Sequence, residues 1–310
     1  MIKNARSLMA NLLIFIGSSL SHVHASSLPK FEPMMSTEVS AMQKTAIISA
    51  YEYHHLSKVL GETRRYQVSL PERYHMNKRR YATLYVIDAD FQFHHVSAVV
   101  KNLTRMGKLP PMIVVGIANQ GDDDYLMQTT WPVASDKAFG GAAKFHRYIK
   151  DELVPLIDSQ FNTTNQKALS GYSLGGLFTL YSMMQADTPF NAFLSMSPSA
   201  WFDEYSLPQK IAPLLKQGKL SAPVFLSVAR EEQMGVDKVV EVFKQHAAEN
   251  LHWQFKHYPE ENHFTTALPA LYDGLAFLAP NFATDGTDML EIGDYKQVLA
   301  HFSKLRQQWG

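Results

Sequence analysis

From about residue 46 onward, short runs of β-branched and aromatic residues alternate with stretches of helical periodicity. This pattern predicts an α/β fold, a mainly parallel sheet with helices on both faces. The clearest runs are Tyr66 to Leu70, Thr83 to Asp88, Met112 to Ala118, Ala192 to Met196, Val224 to Val228 and Trp253 to Tyr258. Leu84-Tyr85-Val86-Ile87 and Ile113-Val114-Val115-Gly116-Ile117 are nearly continuous in apolar character, as strands covered on both faces must be. They are expected at the centre of the sheet. Between the third and fourth runs, Phe145, Ile149, Leu153 and Leu156 fall at helical spacing after Gly140-Gly141. They predict an amphipathic helix whose end is disturbed by Pro155. Val298, Phe302 and Leu305 share one face of a helix predicted over Tyr295 to Trp309, a face expected to pack on the domain.

The start of the chain breaks this pattern. Lys3 and Arg6 precede an apolar stretch from Leu8 to about Leu20, and Val23-His24-Ala25 offers compact residues where a signal peptidase reads. Residues 1–25 are therefore expected to be a cleaved export signal, since the stretch is shorter than the ~20 residues a membrane span needs. Residues 26–45 are polar and aperiodic, a leader to a single domain over 46–310. No later segment resembles a membrane span, so the mature protein is expected to be periplasmic or secreted, without stable membrane insertion.

With 310 residues, 46% of them hydrophobic, the chain can bury one large core. It contains no cysteine, which excludes disulfides, thiolate metal sites and cysteine nucleophiles. Formal net charge is zero, and without Lys3 and Arg6 there remain 27 basic against 29 acidic residues. Nucleic acid and anionic membrane surfaces are poor partners for such a chain. His54-His55 and His94-His95 are adjacent pairs, which cannot both face one metal from regular structure, and no zinc spacing occurs.

One segment carries distinct chemistry. Gly171-Tyr172-Ser173-Leu174-Gly175-Gly176 follows the strand-like Lys167 to Ser170 and precedes an apolar helix over Leu177 to Met184. A G-x-S-x-G between strand and helix is the nucleophile elbow of the α/β-hydrolase fold. Glycines flank the serine because side chains there would collide with the neighbouring strand and helix as the chain reverses. Ser173 is the expected nucleophile, with the helix N-terminus beside it favouring a developing oxyanion.

In this fold the order along the chain is serine, acid, histidine. After Ser173 come His246, His252, His257, His263 and His301. Four of them sit in or beside predicted strands and helices. His263 alone lies in a polar loop, Pro259 to Phe264, just after the last strand, at the carboxyl edge where a base must hang over the serine. The acid is expected after Val224 to Val228, with Glu231 nearest the strand end and Glu232 and Asp237 behind it. Oxyanion donors are expected from the Leu174 amide and from the loop Asp88-Ala89-Asp90, where either Ala89 or Asp90 can supply the second N–H. Tyr172, Trp131, Trp201 and Phe202 are candidates to line the substrate pocket, each with packing as its alternative role.

With these residues placed, the chain resembles the esterase family of α/β-hydrolases that includes esterase D and the enterobactin-type siderophore esterases. The resemblance runs from about Ser57 to Phe277. Its carriers are Gly61 to Pro71, Leu84 to Asp90, Gly171 to Gly176, Ser197-Pro198-Ser199-Ala200-Trp201-Phe202, and Asn262-His263 through Leu268 to Tyr272. It implies a Ser-acid-His hydrolase with Glu231 at the acid position. The chain departs from similar esterases over Gln120 to Pro132, read as a loop bordering the active site, where those often carry an Arg-Asp stretch.

The leading functional expectation is a serine esterase that hydrolyses a small-molecule carboxylic ester, siderophore or cell-envelope, through an acyl-enzyme. It requires no cofactor and no metal. The alternatives are an exported acyltransferase using the same acyl-enzyme and a catalytically silent hydrolase fold used for binding. The sequence carries no signal of oligomeric state.

Overall fold

A computed structural model of the chain describes residues 46–134, 136–280, 282 and 293–309. The expected export signal and leader lie outside the described residues. Eight strands form one sheet: β1 (Tyr51–Ser57), β2 (Glu62–Ser69), β3 (Tyr81–Ile87), β4 (Met112–Ile117), β5 (Thr163–Tyr172), β6 (Ala192–Met196), β7 (Val224–Ala229) and β8 (Trp253–Tyr258). Their spatial order is β1-β2-β4-β3-β5-β6-β7-β8. β2 runs antiparallel to β1 and β4, and every other pairing is parallel.

The two most apolar runs lie within the sheet, as their composition requires. Every residue of β3 and β4 is buried, and Leu84 sits between Val114 of β4 and Ala168 of β5. Alternate side chains serve opposite faces. Leu84 and Val86 join one core cluster, which includes Phe93, Val96, Val100, Leu271 and Leu275. Tyr85 between them packs against Phe190 at a centroid distance of 5.3 Å.

The strand β1 was not legible as a run. It is an edge strand with mostly exposed side chains, and its anchor is cross-strand: Tyr53 pairs with Tyr66 of β2, their rings stacked at 5.3 Å.

The longer helices among the described residues are α1 (Ala89–Arg105), α2 (Asp122–Thr129), α3 (Ala142–Tyr148), α4 (Val154–Gln160), α5 (Leu174–Met183), α6 (Leu207–Lys216), α7 (Val236–His246), α8 (Ala267–Leu278) and α9 (Tyr295–Trp309), with short helical turns over Tyr74–Met76 and Phe202–Tyr205. Pro155 does not end the helix it was expected to disturb. A π-helical turn over Ile149–Leu153 joins α3 to α4 without a break. The disturbance takes the form of that turn, since Pro155 lacks the helical N–H and its ring crowds the carbonyl four residues back. α2 replaces the loop expected over Gln120 to Pro132. On α9, Leu305 is buried and Val298 half-buried, whereas Phe302 keeps 43% of its surface exposed, so the predicted face is only partly covered. Among the described residues no helix is long and apolar enough to cross a membrane.

Candidate active site

β5 ends at Tyr172 and α5 begins at Leu174, so Ser173 alone makes the reversal. Its backbone takes φ 58°, ψ −120°, a region that a side chain rarely adopts. The strain is held from several sides. The Ser173 amide donates to the Met196 carbonyl at 3.0 Å, and its own carbonyl accepts from the amides of Leu177 and Ser199, both at 3.0 Å. The turn tolerates no side chain at its entrance: a Cβ on Gly171 would lie 2.0 Å from the Gly175 carbonyl oxygen.

Three sequence-distant residues meet above this elbow. His263, in the loop between β8 and α8, places Nε2 3.1 Å from Ser173 Oγ. Glu231, two residues past the end of β7, places Oε1 2.6 Å from His263 Nδ1. The two side chains are only 11% and 8% exposed. A carboxylate accepts hydrogen bonds, so the imidazole proton sits on Nδ1 and Nε2 is left to accept from the serine hydroxyl. Tyr172 packs its ring 5.0 Å from that of His263. Burial, reinforced by the charge of Glu231, pushes the Tyr172 hydroxyl well above its ordinary range. Of the other two acid candidates, Glu232 is exposed and Asp237 lies in the first turn of α7.

The residues expected to donate to an oxyanion stand at two helix starts. Leu174 opens α5 and Ala89 opens α1, and the first amides of a helix have no carbonyl to pair with. Asp88 turns the chain into α1 through a left-handed conformation, φ 64°. Its carboxyl accepts from Asn119 Nδ2 at 2.6 Å, and burial together with the neighbouring Asp90 carboxylate raises it to about 6. The Asp90 side chain turns away, accepting from Arg65 Nη2 at 2.9 Å and from the Asn119 amide at 2.8 Å.

The aromatic candidates divide. Phe202 and Trp131 are 2% and 7% exposed and pack ring against ring at 5.1 Å, with Trp131 Nε1 donating to Asp203 at 2.7 Å. Trp201 is half-buried, 6.4 Å from Phe202 between ring centroids.

Two residues at the site were not singled out from sequence. Ser199 Oγ lies 3.3 Å from Ser173 Oγ. Tyr125, on α2, accepts from the Gly175 amide at 2.9 Å and donates to the Tyr172 carbonyl at 3.1 Å. A signal for α2 existed in Asp122-Asp123-Asp124, since acidic residues favour a helix N-terminus, but nothing local places Tyr125 on the elbow.

Comparisons with known proteins agree with this architecture. The family described as "Putative esterase" matches residues 57–271. The "Uncharacterized protein YbbA" of Bacillus subtilis is 29% identical over 188 residues, 57% of this chain and 72% of that protein. The "Siderophore enterobactin esterase" of Emericella nidulans is 28% identical over 190 residues, half of this chain and 63% of that protein, less than two thirds of its length. The crystal structure of an IroE-like serine hydrolase from Shewanella oneidensis superposes with a TM-score of 0.72 at 26% identity, covering 83% of this chain and 87% of that one.

Proposed function

The chain belongs to this esterase family, with the α/β-hydrolase fold, and on that premise we propose that it hydrolyses a carboxylic ester through a Ser173-His263-Glu231 triad. Ser173 Oγ attacks the acyl carbon while His263 Nε2 takes its proton. The oxyanion of the tetrahedral intermediate is received by the Leu174 amide and by the amide of Ala89 or Asp90. Collapse breaks the bond to the alcohol, which leaves with the proton from His263, and the acyl group stays on Ser173. Water then attacks the acyl-enzyme by the same route and the acid is released. Glu231 keeps the imidazole in the required tautomer and offsets the charge of the imidazolium.

The observation that carries this reading is the unbroken line from Ser173 Oγ through the imidazole to Glu231, 3.1 Å and then 2.6 Å. For the substrate class, the name of the Emericella relative supports a siderophore ester as the first to assay, with a cell-envelope ester next. Export through cleavage after Ala25 belongs to the same reading, and the intact mass of protein from the cell envelope should begin at Ser26.

The test is turnover of p-nitrophenyl esters from acetate to octanoate by the mature protein beside Ser173→Ala and His263→Ala. Wild-type turnover lost in both variants is the expected result. Absence of wild-type turnover together with absence of fluorophosphonate labelling would sink the reading.

A further inference from the structure

Ser173 holds its strained backbone between two groups that share one side-chain partner. The carbonyl just before it, of Tyr172, and the amide two residues after it, of Gly175, both bond to the hydroxyl of Tyr125. One oxygen thus clamps both limbs of the elbow, donating its proton to one and accepting from the other. The Gly175 amide is the second of α5 and would otherwise be free, as first-turn amides are. With it engaged, the amide left beside the serine is that of Leu174.

The clamp is itself anchored. α2 is tied to the sheet by Asp124, whose carboxylate accepts from Arg64 Nη1 at 2.9 and 2.8 Å. The Arg64 side chain is 0% exposed, and its Nη2 donates to the Ala118 carbonyl at 3.0 Å. The Tyr125 carbonyl is fixed in turn by Thr129 Oγ1 at 2.6 Å. A buried ion pair one residue from the tyrosine therefore sets where its hydroxyl stands. That hydroxyl is held protonated, because burial, with Asp88 nearby, pushes it well above its ordinary range.

We infer that Tyr125 is a positioning residue for the reaction: its hydroxyl bridges the Tyr172 carbonyl and the Gly175 amide, and so aims the Leu174 amide at the developing oxyanion. The inference rests on the reading of Ser173 as nucleophile. Charge on the acyl oxygen is largest in the tetrahedral transition state, so a misdirected donor costs rate rather than substrate affinity.

The experiment is Tyr125→Phe, which removes the bridging oxygen and keeps the ring. kcat is measured with p-nitrophenyl esters and normalised to active sites counted by the final stoichiometry of fluorophosphonate labelling, which excludes any unfolded fraction. The expected result is a fall in kcat of about 10- to 100-fold with KM within about twofold, and a parallel fall in the rate of labelling at full stoichiometry. A change in kcat of less than twofold per labelled site, or a rise in KM with kcat unchanged, would overturn the inference and leave Tyr125 a packing residue. Asp124→Asn, which loosens the Arg64 anchor and leaves Tyr125 intact, should show the same signature more weakly. It decides the matter if Tyr125→Phe does not fold, with unchanged kcat again the overturning result. Failure of the esterase reading is distinct, since it would show as an inactive, unlabelled wild type.

Discussion

Oε1 of Glu231 lies 2.6 Å from Nδ1 of His263, while Oε2 of the same carboxylate is buried without a hydrogen-bond partner among the described residues. The carboxylate is thus committed to the imidazole. In Glu231→Gln the amide NH₂ facing Nδ1 favours the tautomer with its proton on Nε2, which cannot accept from Ser173. kcat should fall by roughly 10³- to 10⁴-fold with KM little changed. Glu232→Gln and Asp237→Asn should stay within about twofold of wild type. Steady-state kinetics on the three variants would identify another acid if either of the latter pair proved the inactive one.

The elbow glycines predict a steep contrast in stability. A Cβ on Gly171 would meet backbone atoms of Gly175 at 2.0 and 2.3 Å, and neither limb of the turn can yield without moving a strand or a helix. Gly171→Ala should not accumulate as folded protein. Gly218→Ala meets nothing within 4 Å and bears only the strain of φ 63°. That strain is worth about 1–2 kcal/mol, a Tm fall of roughly 2–8 °C. Thermal denaturation compares them directly.

Asp88 should leave a mark on the pH dependence of stability. Burial first, and the Asp90 charge second, raise its carboxyl to about 6 from an ordinary 3.8. The folded state therefore binds a proton more tightly than the unfolded chain. Its stabilising contribution is complete below about 4 and is lost as pH rises through about 6. Asp88→Asn keeps an acceptor for Asn119 and tolerates the left-handed backbone. The variant should thus gain about 1–3 kcal/mol relative to wild type on going from pH 4 to pH 7.5, measured by urea unfolding. A difference between the two proteins that does not change with pH would show that Asp88 titrates normally.

Arg64 tests how α2 is held. Its guanidinium is fully buried and paired with Asp124, which is itself 13% exposed. Arg64→Met leaves that carboxylate without its partner and should cost about 3–5 kcal/mol. Arg64→Met combined with Asp124→Leu removes both charges and should recover part of the loss. Chemical denaturation of the double-mutant cycle gives the coupling energy, and additive losses would mean that the pair is not coupled.

The parts of the site that could be read from sequence are those whose geometry is local. The elbow is a five-residue turn, and its glycines follow from the reversal at Ser173. His263 stood out because it alone among the later histidines occupies a loop at the carboxyl edge of the sheet. Phe202 and Trp131 were harder, since a large aromatic beside a site reads alike whether it faces a ligand or its neighbour. Here the two face each other.

By itself, the sequence determined the alternation of strands and helices, the burial of β3 and β4, the elbow at Ser173, and the place of His263 in a loop at the carboxyl edge of the sheet. Each follows from periodicity or turn chemistry within a few residues. Only the tertiary structure decided that Tyr51–Ser57 pairs as an edge strand and that Gln120 to Pro132 contains a helix. It alone brought Tyr125 onto Gly175 and Glu231, rather than its neighbours, onto His263. Those contacts join segments 50 and 32 residues apart, so they depend on strand order and on how each loop leaves the sheet, which no local pattern encodes.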